Sequence, residues 1–298
     1  MTQPLPWEKN AAVPVPPAPE PVPLDAYTAP AAPEPELVPL DIYDAPAPAP
    51  KPAKPLVDID SLNPAQREAV LTTEGPLLVL AGAGSGKTRV LTFRIAHMLG
   101  DLGVKPWQIL AITFTNKAAA EMRERLEGLI GPVARRMWVS TFHSACVRIL
   151  RRDIDRLGFS RDFTIYDTDD SKRVIKDILK ELNIDEKKLT PREVLSAISN
   201  AKDAMESHQD YSRRWKDSGD WRKEAIAKIY TRYVHRLAEA NALDFDDIIL
   251  KTVELLETFE DVRTYYQQKF HYVMIDEYQD TNQLQYQLTS LLAGGYEN

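Results

Sequence analysis

The run Ala81-Gly82-Ala83-Gly84-Ser85-Gly86-Lys87-Thr88 constrains this chain more than any other feature. A short apolar run, Leu77-Leu78-Val79-Leu80, leads into it. Leu91, Ile95 and Met98, spaced by four and three, lead out of it. The order reads as strand, glycine-rich turn, Lys-Thr and helix, which is the context a phosphate-binding loop requires. Glycines let successive backbone N–H groups turn toward one centre and cradle phosphates, and the helix N-terminus adds its dipole. Lys87 is placed to reach the β- and γ-phosphates of ATP, and the Thr88 hydroxyl to hold Mg²⁺. The common pattern begins with glycine. Ala81 stands there instead and tolerates most of the loop geometry.

Three more bounded apolar runs, Ile109-Leu110-Ala111-Ile112, Met137-Trp138-Val139 and Tyr272-Val273-Met274-Ile275, read as strands buried on both faces. Helical stripes lie between them, such as Ala119, Met122, Leu126 and Leu129. Strand–helix alternation predicts an α/β fold with a parallel sheet. From about 150 to 265 the alternation stops and helical signals dominate. Thr190-Pro191-Arg192-Glu193 is a capping box, and Ile226, Ile229, Tyr233 and Leu237 form a stripe. The expected domains are residues 58–150 and 266–298 of one ATP-binding α/β unit, with a helical insertion over 151–265. Asp276-Glu277 closes the last strand at the sheet edge where the phosphate loop sits. Asp276 is expected in the Mg²⁺ shell, and Glu277 as the base that takes a proton from the attacking water.

Residues 1–57 hold 17 of the 22 prolines and read as a disordered tail. Within it Val22-Pro23-Leu24-Asp25-Ala26-Tyr27 nearly repeats as Val38-Pro39-Leu40-Asp41-Ile42-Tyr43, either low-complexity drift or a doubled docking peptide for a protein partner. The tail carries −4 of the net charge of −7, so nucleic acid must be met by a local patch and not by overall charge. The single cysteine, Cys146, can form no internal disulfide. No run approaches the roughly 20 apolar residues of a membrane helix. No secretory leader is visible. The expected compartment is the cytoplasm.

Asp276-Glu277-Tyr278-Gln279-Asp280-Thr281-Asn282 resembles the second helicase motif of the UvrD/Rep/PcrA-like superfamily 1 DNA helicases. Leu62-Asn63-Pro64-Ala65-Gln66 resembles their Q motif, the phosphate loop with Arg89 the first motif, and Thr113-Phe114-Thr115-Asn116-Lys117 motif Ia. Ser140-Thr141-Phe142-His143-Ser144 resembles motif Ib, and Leu243-Asp244-Phe245-Asp246-Asp247 the segment that leaves the helical insertion. The run from Cys146 to Asp153 is nearest to the PcrA members. The resemblance covers about 58–298. It implies a RecA-like domain 1A with helical domain 1B inserted, ATP and Mg²⁺ as cofactors, and 3′-to-5′ movement on single-stranded DNA and its junctions with duplex. It implies Gln66 on adenine, Arg89 against its face, Phe114 and Phe245 on bases, and Thr113, Asn116 and His143 on the strand's backbone.

In that family a further strand carrying motif III and a second RecA-like domain follow. Residues 1–298 alone are therefore expected to hydrolyse ATP slowly and not to unwind DNA. Two alternatives stay open: a RecB- or AddA-like subunit of a helicase–nuclease, and a short form that binds ATP or DNA as an interaction module.

Overall fold

The structure is a computed structural model that describes residues 57–82 and 84–298. The proline-rich segment, its near-repeat and Ala83 lie outside the described residues. Val57, expected in the tail, is instead buried against the folded part (1% exposed).

Among the described residues, the chain enters through helix α1 (Pro64–Leu71). Asn63 and Gln66 close its capping box by accepting from each other's backbone N–H. Helix α2 (Lys87–Gly100) follows the phosphate loop. A parallel sheet is then assembled around β1 (Ile109–Thr113), with β2 (Trp138–Thr141) on one side and β5 (Tyr272–Ile275) on the other. Alternate residues of β1 serve different layers, as a two-residue side-chain period requires. Ile109 and Ala111 join Ile95 and Met98 of α2 and Met122 and Leu126 of α3 (Asn116–Ile130). Leu110 and Ile112 join Phe142, Cys146 and Ile149 of α4 (Phe142–Asp153). Every residue of β1 is thereby buried.

The helical segment opens after β3 (Thr164–Ile165). It comprises α5 (Thr168–Glu181), α6 (Pro191–Asp203), α7 (His208–Trp215) and α8 (Trp221–Glu239). The chain leaves it through β4 (Ala242–Leu243), which pairs parallel with β3, so entrance and exit are clasped together. The Thr190 capping box forms as expected: Thr190 N–H donates to Glu193 Oε2 at 2.8 Å and Glu193 N–H to Thr190 Oγ1 at 3.3 Å. Ile226, Ile229, Tyr233 and Leu237 are buried together with Ile175, Ile178 and Ile198 in a core separate from the sheet's.

Helices α9 (Phe245–Thr258), α10 (Glu260–Lys269) and α11 (Gln283–Ala293) complete the chain. Val253 and Leu256 of α9 and Tyr266 of α10 are buried with the sheet's own layer, not with the helical core. Ile154, Leu157 and Phe163 do the same. The span expected for the insertion, 151–265, thus straddles both cores, and the helices with a core of their own run from α5 to α8. Periodicity marks a buried face but not which core it enters.

Leu77–Leu80 is the second departure. Read as a strand buried on both faces, it is irregular and exposed, with Leu78 at 62% and Leu80 at 85%. A groove of about 760 Å³, lined by Leu77, Leu78, Val79, Val90, Met274 and Ile275, separates it from β5. Without a neighbouring strand within hydrogen-bonding reach, an apolar run has no ladder to join. The segment is held at its start: Arg94 donates to the carbonyls of Ala69, Thr72 and Thr73, and Tyr272 OH donates to Glu74 Oε1 at 2.9 Å. No helix among the described residues is long and apolar enough to cross a membrane.

Candidate nucleotide site and nucleic-acid face

The phosphate loop turns on glycine geometry. Gly84 and Gly86 have positive φ of 75° and 87°, a region that side chains rarely enter. Gly86 caps α2, so the first N–H groups of that helix open onto the loop. Ser85 ties the turn back, its N–H and Oγ both donating to Gly82 O at 3.3 and 2.7 Å. Lys87 folds over the same turn, its Nζ donating to Ala81 O at 3.2 Å and Gly82 O at 3.5 Å. An ammonium already lying across the loop's mouth is placed to meet a polyphosphate there.

Asp276 reaches this loop from the end of β5. Its N–H donates to Ile112 O at 2.9 Å, which extends the β1–β5 pairing by one residue and fixes where the carboxylate emerges. Thr88 Oγ1 donates to Asp276 Oδ2 at 3.3 Å. Burial, and then the charge of Glu277, push the Asp276 carboxyl above its usual range, opposed by Thr88 and Lys87. A hydroxyl and a carboxylate oxygen side by side suit a hard cation. Mg²⁺ needs only one or two protein oxygens when phosphates supply others. Among the described residues no cluster of three or more His, Cys, Asp or Glu could hold a metal unaided. Glu277 follows with φ of 56°, a left-handed conformation unusual for a residue with a side chain. Its carboxylate accepts from Gln279 Nε2.

The two residues assigned to adenine also converge on the loop. Gln66 Nε2 donates to Ser85 O at 2.9 Å, and a Cβ at Gly86 would stand 3.1 Å from it. Arg89 donates to Ser61 Oγ at 2.9 Å and lies 5.0 Å over the Phe93 ring.

The nucleic-acid candidates divide. His143, in the first turn of α4, and Phe245, the first residue of α9, stack with ring centroids 3.9 Å apart and planes at 24°. Phe245 remains 58% exposed, an apolar ring left facing solvent among aspartates. Burial holds the His143 imidazole down to about 4, so it is neutral near pH 7 and carries no charge into a phosphate contact. Phe114 is half-buried and meets Phe142 edge to face, with ring centroids 5.6 Å apart. Asn116 is exposed at the start of α3. Thr113 does not join them. It is 1% exposed, paired in the sheet opposite Thr141, and its hydroxyl donates to Thr115 O at 3.1 Å. Its side chain is therefore engaged within the sheet.

Sequence reasoning missed Lys202. It is 1% exposed, with Nζ 2.6 Å from Asp244 Oδ2 and 2.7 Å from Asp247 Oδ1. A signal was present: Lys202 continues the buried stripe Val194, Ile198 and Ala201, where an apolar residue is due.

The family of the UvrD/REP helicase N-terminal domain matches residues 62–298. An "ATP-dependent DNA helicase PcrA" of Bacillus subtilis is 52% identical over 235 residues, covering 79% of this chain and 31% of that protein. Proteins of the same name from Staphylococcus aureus and Staphylococcus epidermidis are 54% identical over 233 residues, 78% of this chain and 32% of theirs. The chain spans about a third of the length of these relatives. Since the family model spans residues 62–298, the chain belongs to the UvrD/REP helicase family, of which it carries the N-terminal domain.

Proposed function

We propose that the protein to which this chain belongs is an ATP-dependent DNA helicase that moves 3′ to 5′ along single-stranded DNA and opens its junctions with duplex. One observation supports this reading above the others. Lys87, Thr88 and Asp276 meet at the carboxyl edge of a parallel sheet, and β2 of that sheet leads into the helix that presents His143 against Phe245.

In this reading Lys87 and the loop N–H groups bind the β- and γ-phosphates. Thr88 and Asp276 hold Mg²⁺, which neutralises phosphate charge when bound. Gln66 and Arg89 take the adenine. Glu277 orients a water and accepts its proton as the water oxygen bonds to the γ-phosphorus and the bond to the bridging oxygen breaks. Phe245 and Phe114 supply stacking that every base satisfies, which suits movement over any sequence. Asn116 and the neutral His143 complete the strand contacts. For residues 1–298 themselves the proposal is ATP binding and single-strand binding. The helical core from α5 to α8 is read as domain 1B.

The test is strand displacement by the whole gene product on duplexes with 3′ or 5′ single-stranded tails, with Lys87→Ala alongside. Unwinding from the 3′ tail alone, lost in Lys87→Ala, is expected. Unwinding that survives Lys87→Ala, or that needs a 5′ tail, overturns the proposal.

A further inference from the structure

Lys202 and Asp203, the last two residues of α6, make contacts in two directions. Lys202 Nζ bridges Asp244 Oδ2 and Asp247 Oδ1. The other oxygens of those carboxylates form the capping box of α9: Asp247 N–H donates to Asp244 Oδ1 at 2.8 Å and Asp244 N–H to Asp247 Oδ2 at 3.3 Å. Tyr233 OH, from α8, donates to Asp244 Oδ2 at 2.9 Å. Lys202 therefore grips the first turn of the helix that begins with Phe245.

Asp203 reaches α11 instead. Its Oδ1 accepts from Asn282 Nδ2 at 3.0 Å. Asn282 caps α11, its own Oδ1 accepting from Gln285 N–H at 2.9 Å. It ends the segment that starts at Asp276-Glu277, six residues on in the chain.

A buried lysine between two carboxylates is no more favourable than well-packed apolar side chains of the same volume. What the ionic contact adds is geometry: an apolar contact tolerates sliding, whereas two charge-assisted hydrogen bonds of 2.6 and 2.7 Å do not. The same short stretch of α6 thus fixes the α9 cap and touches the α11 cap. Resting on the function proposed above, we propose that Lys202 and Asp203 are positioning residues that couple the Asp276–Asn282 segment to the base-stacking Phe245. Neither is among the residues assigned to nucleotide or DNA, so their action is on the linkage between the two sites.

The test is DNA-stimulated ATP turnover by the whole gene product, with Asp203→Ala, Asp203→Asn and Lys202→Met. Asp203 is only partly buried, so its variants separate coupling from folding. Asp203→Ala is expected to leave turnover without DNA and the KM for ATP within twofold of wild type. It should cut the stimulation of kcat by single-stranded DNA about fivefold or more, the lower end of usual coupling. Asp203→Asn, which keeps the acceptor for Asn282, is expected to restore stimulation. Lys202→Met, where it folds, should lower stimulation together with DNA affinity. Wild-type stimulation that persists in Asp203→Ala overturns the coupling while leaving the proposed function standing. A wild type that DNA does not stimulate overturns both.

Discussion

Replacing Phe245 with alanine separates binding from folding better than any other change in the molecule. The ring is 58% exposed and its covered part lies against His143. A fully buried aromatic side chain hides about 150–250 Å². Somewhat under half of that is about 60–100 Å², and at roughly 25 cal/mol per Å² the folding cost of Phe245→Ala is at most about 1.5–2.5 kcal/mol. For a folded unit of this size that lowers Tm by about 3–10 °C. Stacking on a base is worth about 1–3 kcal/mol, which is about 5- to 150-fold in affinity for single-stranded DNA. Fluorescence anisotropy of labelled oligonucleotides, well below the variant's Tm, measures that loss. It should be of similar size for oligo-dT and for mixed sequences. Because no charge is removed, the slope of log affinity against log salt should not change. An affinity within twofold of wild type, or a loss that comes with a shallower salt slope, refutes a stacking role.

Three further outcomes follow from burial. The His143 imidazole should titrate near 4 by NMR; its folded pKa lies below the unfolded 6.5, so the stability it contributes is present above pH 6.5 and lost as pH falls toward 4, and a midpoint near 6.5 contradicts its burial. Cys146 is buried and its thiol is pushed up to about 12, so a thiol reagent at pH 8 should label it only after unfolding; prompt labelling of the native chain contradicts this. Lys202→Met leaves two buried carboxylates without their cation and should cost about 3–5 kcal/mol, whereas the triple change with Asp244→Asn and Asp247→Asn should cost clearly less. Equal denaturation midpoints for the single and triple variants would show that the loss is not electrostatic.

The legible parts of this molecule were those written in short-range pattern. Gly84, Gly86, Lys87 and Thr88 act through backbone geometry and a fixed spacing, so their convergence with Asp276 followed once both were assigned to one sheet edge. Phe245 was readable as exposed because a capping box of aspartates surrounds it. Leu77–Leu80 was not readable, since becoming a strand depends on a partner elsewhere in the chain and not on apolar content. The burial of Thr113 in the ladder opposite Thr141 was not readable from its motif, since it depends on a strand some 28 residues away. Lys202 escaped notice because a lysine on a helix is ordinarily solvated. Only the three-dimensional meeting of α6 with the α9 cap supplies its two partners.

Calorimetric titration of residues 1–298 with ATP, with and without Mg²⁺, in the wild type and in Lys87→Ala, tests the nucleotide site most directly. Lys87 is expected to contribute a charge-assisted contact worth about 1.5–3 kcal/mol. The account predicts Mg²⁺-dependent binding that weakens about 10- to 150-fold in Lys87→Ala. Binding that is indifferent to both Mg²⁺ and Lys87 would contradict it.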